Sequence, residues 1–315
     1  MRPARAALAA TLLLSACALP APRPLPGETV TLKVAHVVNP ELPRMSADQL
    51  AAALEAARRG VKESFGVDVV FTAPEEHSLK SLLDRATPGQ RSDWNALSYD
   101  FKNGKGDRGR LARGYAAAFR SDEASLDDQI AYAEPYLLAP IRERTYQGFA
   151  DAVTATLVAR LDELNAQKVL DPSPANEVLY WAFIGKLSFP YDVVITNQLI
   201  ASAEYVGSSV HTAIRGGITN GITTGNPSSP RGVTAIVSTY PLIGDDAVTR
   251  SLRGGETYSE AERVRYAGLL LVHEIGHQLF DLGHPYGKKA CVMDPPEMLH
   301  FREWAGQLSP KDCRR

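Results

Sequence analysis

Cysteine is scarce in this chain, with three in 315 residues, at positions 17, 291 and 313. That excludes a small disulfide-framework protein, in which bridges stand in for a core. A dominant charge is missing too. The 34 basic residues face 36 acidic ones, for a net −2, and no basic footprint of a nucleic-acid-binding protein emerges. Beyond the extreme N-terminus, no apolar run approaches the ~20 residues that cross a bilayer. What is present is ordinary for a folded chain. A content of 44% hydrophobic and 22% charged residues excludes a disordered chain, a collagen-like repeat and a coiled coil. The length allows one large domain or two small ones.

The N-terminus reads as a targeting segment. Arg2 and Arg5 precede the apolar stretch Ala6 to Leu14, and small residues lead to Cys17. That order is a secretory signal peptide, residues 1–16. The run Leu14-Ser15-Ala16-Cys17 resembles the lipobox of bacterial lipoproteins, which implies that Cys17 becomes a lipidated first residue. Ala18, in place of an aspartate, favours an outer-membrane anchor facing the periplasm. The alternative is a plain signal peptide and a secreted protein. Residues 17–28 contain four prolines in LPAPRPLPG and read as a tether, with the folded domain at 29–315. In an oxidising compartment Cys291 and Cys313 are either a disulfide or two buried thiols.

The chain then alternates strand and helix. TVTLKVAHVV (29–38) is rich in β-branched residues and predicts one strand. Ser46 caps a helix to Phe65 that stops at Gly66, and VDVVFT (67–72) predicts a second strand. Residues 75–185 read as a helical insertion or a small separate domain. Its helical segments are Ser125–Ala133, Arg142–Leu164 and Asn176–Ile184, and polar Arg91–Arg110 reads as solvated loop. Strands return in YDVVITN (191–197) and GVTAIVSTYPLI (232–243). The Gly-rich connection between them is loop or hairpin, without a phosphate-binding pattern. The expected class is α/β (α+β), with a mixed sheet.

The chemistry sits on one helix. Ser259 and Glu262 form a capping box before an apolar run, Val264 to Leu282. Inside it lies His273-Glu274-Ile275-Gly276-His277, an H-E-x-x-H sequence. Residues four apart on a helix face the same way, so both imidazoles can reach one Zn²⁺. Glu274 lies about 100° round the helix, near the metal without binding it, where it can accept a proton from an activated water. His284 is the first candidate for a third ligand. Gly283 is expected to take a left-handed conformation and turn His284 back, while Pro285 prevents the helix restarting. Asp281 is a poorer candidate. The rival is Glu297, as in thermolysin-like enzymes, although Asp294-Pro295-Pro296-Glu297 also reads as a helix cap. Tyr240 and Tyr286 are either oxyanion donors or ordinary tyrosines. His36, His77, His211 and His300 read as surface or satisfied core histidines.

The segment HEIGHQLFDLGHPYGKKACVMDPP resembles the active site of the metzincin metallopeptidases, most closely the archaemetzincins. The resemblance implies a zincin-like catalytic domain with an active-site helix and one catalytic Zn²⁺ on His273, His277 and His284. It makes Glu274 the general base and Met293 the methionine of the turn beneath the metal. LKVAHVV, a helix and VDVVF resemble the family's opening. GVTAIVSTYPL resembles the strand before its active-site helix, and that strand is expected to edge the cleft and pair with an extended peptide. This chain departs from the family in two ways. It has one residue more between the second and third histidines, with Phe280 at the family's glycine position. The family's four-cysteine second zinc site is absent, and a Cys291–Cys313 disulfide is expected in its place. The implied activity is that of a zinc metalloprotease, a hydrolase acting on a peptide or protein substrate. Two alternatives stand: a non-catalytic zinc-stabilised lipoprotein that binds an envelope partner, and a thermolysin-like zincin with Glu297 as third ligand.

Overall fold

The computed structural model describes residues 23–168, 170, 174–206 and 209–313. The leader and Cys17 lie outside them. Part of the expected tether is held on the domain, since Gly27 donates its N–H to Gly66 O at 3.0 Å.

The predicted strand 29–38 is two strands, β1 (Thr29–Leu32) and β2 (Val34–Val38). The break falls at Lys33, whose carbonyl accepts the N–H groups of both Asp192 and Val193. Each half then takes its own parallel partner: β3 (Asp68–Phe71) lies along β1, and β4 (Glu75–Ser78) along β2. Three more strands follow, β5 (Val193–Thr196), β6 (Gly221–Gly225) and β7 (Val233–Ser238). The larger sheet runs β4-β2-β5-β7-β6, parallel except for β6, which is antiparallel to β7. The central strands VAHVV and VVIT are buried throughout, because chain covers the sheet on both faces.

The principal helices are α1 (Ala47–Phe65), α2 (Pro88–Asn95), α3 (Arg108–Ser121), α4 (Leu126–Ala133), α5 (Tyr146–Ala166), α6 (Glu260–Phe280) and α7 (Phe301–Gln307). Ser46 with Gln49, and Ser259 with Glu262, form reciprocal capping boxes at α1 and α6. Gly66 ends α1 in the left-handed conformation, φ 77°. The two helices pack against each other through small residues. A Cβ on Gly268 of α6 would lie 2.8 Å from Ala56 Cβ of α1.

Tyr115, Phe119, Phe149 and Leu157 of the helical block share one core with Leu271 and Ile275 of α6. The segment 91–110 is not a solvated loop. It carries part of α2, capped by Thr87, and buries Trp94, Tyr99 and Phe101. Those aromatics stand among polar residues and show no period, so their burial depends on partners elsewhere; Trp94 stacks on Phe183 at 5.7 Å. Among the described residues, no helix is long and apolar enough to cross a membrane.

Candidate metal centre and cleft

The last turns of α6 set His273 and His277 one above the other. The helix then stops at Phe280 by a route different from the expected one. Asp281, not Gly283, takes the left-handed conformation (φ 52°, ψ 44°), and its N–H bonds back to the carbonyls of Gly276 and His277. Aspartate tolerates this region better than most side chains. Gly283 has another use: Glu123 packs against it, and a Cβ there would lie 2.8 Å from the Glu123 carboxyl carbon. Phe280 packs its ring on Phe65, centroids 4.7 Å apart.

The reversed chain brings His284 back to the helix. The three Nε2 atoms converge: His273 to His277 is 3.1 Å, His273 to His284 3.2 Å, and His277 to His284 3.0 Å. Neighbouring carbonyls decide the tautomers. His273 Nδ1 donates to Val292 O at 2.8 Å, and His277 Nδ1 donates to Leu282 O. In a neutral imidazole the other nitrogen is then a bare acceptor. Burial keeps these rings neutral, with the His273 pKa driven down to about 3 and that of His284 well below its ordinary value. Acceptors facing one another need an electrophile between them. A tetrahedral ion ~2.0–2.1 Å from each nitrogen would hold them ~3.3 Å apart, close to the observed spacing. The three histidines therefore lie close enough to bind one metal ion, and among the described residues no carboxylate or thiol joins them. An all-imidazole set suits zinc, copper, iron or nickel.

Glu274 is 6% exposed. Its Oε2 accepts from Thr223 Oγ1 of β6 at 2.9 Å. Burial pushes its carboxyl up to about 8, and the Thr223 hydrogen bond opposes that shift. Met293 lies under the helix, where a Cβ on Gly276 would collide with its sulfur. Cys291 and Cys313 form a disulfide, Cα atoms 4.9 Å apart, and Val292 N–H donates to Cys313 Sγ at 2.9 Å. The bridge thus flanks the carbonyl that orients His273.

The other candidates are engaged elsewhere. Glu297 binds Lys289 Nζ at 2.7 Å and accepts from Tyr136 at 2.9 Å, and it is not among the residues whose ligand atoms converge. No helix begins at Asp294–Glu297; α7 starts at Phe301, and Glu297 forms the Lys289 ion pair in place of a cap. Tyr240 donates to Asp246 at 3.0 Å and lies off the cleft. Tyr286 places its hydroxyl 3.1 Å from His211 Nδ1.

His211 itself was missed. Its ring stands edge-on to that of His284, centroids 4.7 Å apart, and it lines the cleft. A histidine isolated in sequence carries no local signal of such a placement.

The cleft has a volume of about 450 Å³ and is lined by the three histidines, Glu274 and residues of β6. Its strand border corrects the sequence expectation. β7 is interior, between β5 and β6, so the edge strand beside Glu274 is β6, which grew from the Gly-rich connection. Glu204 lies in the same wall, 3% exposed and accepting from Ser202 Oγ; burial pushes its carboxyl up to about 7.

Compared with family models, curated proteins and solved structures, the chain matches none. The functional reading therefore rests on the residues of the site.

Proposed function

We propose that the protein is a zinc-dependent peptidase of metzincin type, tethered to an envelope membrane through a lipid on Cys17. One observation carries the catalytic reading: three histidine Nε2 atoms converge beside a buried glutamate, in a cleft bordered by the edge strand β6. His273, His277 and His284 would hold Zn²⁺, which would supply Lewis-acid chemistry to the peptide carbonyl and to the attacking water. Glu274 accepts the proton of the attacking water and returns it to the leaving nitrogen. Thr223 orients that carboxylate through its hydrogen bond. The outer edge of β6 offers backbone N–H and C=O groups to an extended peptide. The engagement of Glu297 by Lys289 and Tyr136 speaks against both a thermolysin-like ligand set and a closed, purely structural four-ligand site.

Glu274→Gln tests the reading. It keeps the side chain's shape and is expected to retain one zinc per chain while peptide turnover falls ~10³-fold. Undiminished turnover would overturn it. For the anchor, Cys17→Ser is expected to move the protein from the membrane to the soluble fraction, and unchanged membrane association would refute lipidation.

Arg23, in the segment expected to act as a tether, pairs its guanidinium with Asp281 of the cleft wall at 3.0 Å.

A further inference from the structure

His211 lines the cleft beside the three converging histidines, but its nitrogens do not join theirs. It is carried by the short helix Val210–Ile214, between β5 and β6, and it is only partly buried. What fixes its ring is Tyr286. The tyrosine hydroxyl accepts the backbone N–H of His211 and stands 3.1 Å from Nδ1 of the same residue. With the backbone N–H as its donor, the hydroxyl sends its own proton to Nδ1. The tyrosine ring is itself held against that of Tyr132, centroids 4.9 Å apart.

An imidazole that accepts at Nδ1 carries its proton at Nε2. This is the reverse of His273 and His277, whose Nδ1 atoms donate to carbonyls. His211 thus presents a donor to the cleft, where its neighbours present lone pairs. Its N–H meets Ser209 Oγ at 3.2 Å, the long end of the normal range. Ser209 keeps a second partner, Thr212 Oγ1 at 2.9 Å, so another acceptor can take the N–H without stranding the serine. The His211 ring stands edge-on to His284, whereas Glu274 stands against Thr223 of β6. Base and donor reach the cleft from different walls.

We propose, resting on the peptidase reading above, that His211 is a further catalytic residue. Its Nε2–H donates to the oxygen of the scissile carbonyl as that oxygen takes up negative charge. Tyr286 acts through His211 and is a positioning residue. A donor aimed where charge develops stabilises the transition state more than the bound substrate, so its loss falls on kcat rather than KM.

His211→Leu, His211→Gln and Tyr286→Phe are compared with the unaltered protein, all loaded with zinc. His211→Leu is expected to keep one zinc per chain and its KM while kcat falls ~10²-fold. His211→Gln retains an N–H near the position of Nε2 and is expected to recover part of that loss. A phosphonamidate analogue of a cleaved peptide carries the tetrahedral oxyanion, and calorimetry is expected to show it bound ~10²-fold more weakly by His211→Leu. Histidine ¹⁵N NMR reads the tautomer: the resonances lost in His211→Gln are expected to report a protonated Nε2 and a bare Nδ1, a preference that Tyr286→Phe removes. A ring protonated at Nδ1 overturns the proposal, as does a His211→Leu protein that matches the unaltered one in kcat and phosphonamidate affinity. A loss confined to KM or to zinc content overturns it too, since that is a structural effect. Where the unaltered protein holds no zinc or hydrolyses no peptide, the peptidase reading itself fails and takes this assignment with it. If His211→Leu does not fold, the tautomer decides alone.

Discussion

Gly221 on β6 lies so close to Glu274 that a methyl group on its Cα would come within 2.7 Å of the carboxyl carbon. The edge strand and the glutamate of α6 thus share a space that only a residue without a side chain leaves free. Gly221→Ala is expected to displace the carboxylate while leaving the histidines in place. Displacing a catalytic group by about 1 Å costs ~10²-fold in rate. The expected outcome is unchanged zinc content with kcat lowered to that extent, read by elemental analysis beside a peptide assay. An unchanged kcat would remove Glu274 from the reaction.

The ligand set separates His284 from Glu297. His284→Ala removes one of three converging nitrogens and is expected to weaken zinc by more than ~10²-fold, beyond the usual effect of an outer-shell change. Glu297→Ala breaks only the contacts to Lys289 and Tyr136 and is expected to leave zinc affinity within about threefold. Competition against a chelator measures both. A collapse of affinity in Glu297→Ala would move the third ligand there.

The disulfide joins residues 22 apart in sequence. Constraining a loop of that size stabilises by about 3 kcal/mol on the chain-entropy model, so Cys313→Ser is expected to lower unfolding stability by about that amount. Zinc binding should weaken as well, by ~tenfold, because the bridge flanks Val292, whose carbonyl holds His273 Nδ1. Denaturant unfolding with and without reductant checks the first effect; identical curves would show that the bridge contributes nothing.

Glu204 makes stability depend on pH. Its carboxyl titrates near 4.5 in the unfolded chain and is pushed up to about 7 by burial in the fold. Between those values the native form holds the extra proton, so stability falls as pH rises. Its contribution is fully present below pH 4.5 and lost through pH 7, on the order of 3 kcal/mol for such a shift. Glu177, raised by its own burial and by Glu204, acts in the same sense. Glu204→Gln is expected to flatten this slope and to be more stable than the unaltered protein at ~pH 8. Urea unfolding across the range checks it, and parallel curves for the two proteins would refute it.

Much of the candidate site was legible because its determinants are local. Both capping boxes lie within four consecutive residues, and the facing of His273 and His277 follows from helix geometry alone. The seven-residue step to His284 also pointed to a ligand, but the turn that delivers it was misplaced. Gly283 is the better left-handed residue by intrinsic preference. Yet α6 ends at Phe280, which packs on Phe65 of α1, and Asp281 must make the turn. Tertiary packing overrode a local propensity that differs by only a small energy.

The sequence by itself determined both ends of α1, the start of α6, the strand–helix alternation and three of the residues around the cleft: His273, Glu274 and His277. Only the tertiary structure decided that β6 and not β7 is the edge strand, that Trp94, Tyr99 and Phe101 are buried, and that His211 stands beside His284. It likewise decided that Gly221 makes room for Glu274. The reason is the range of the interactions. Caps and periodicity depend on backbone groups within a turn of each other, whereas strand order and side-chain convergence depend on surfaces that distant segments bury together.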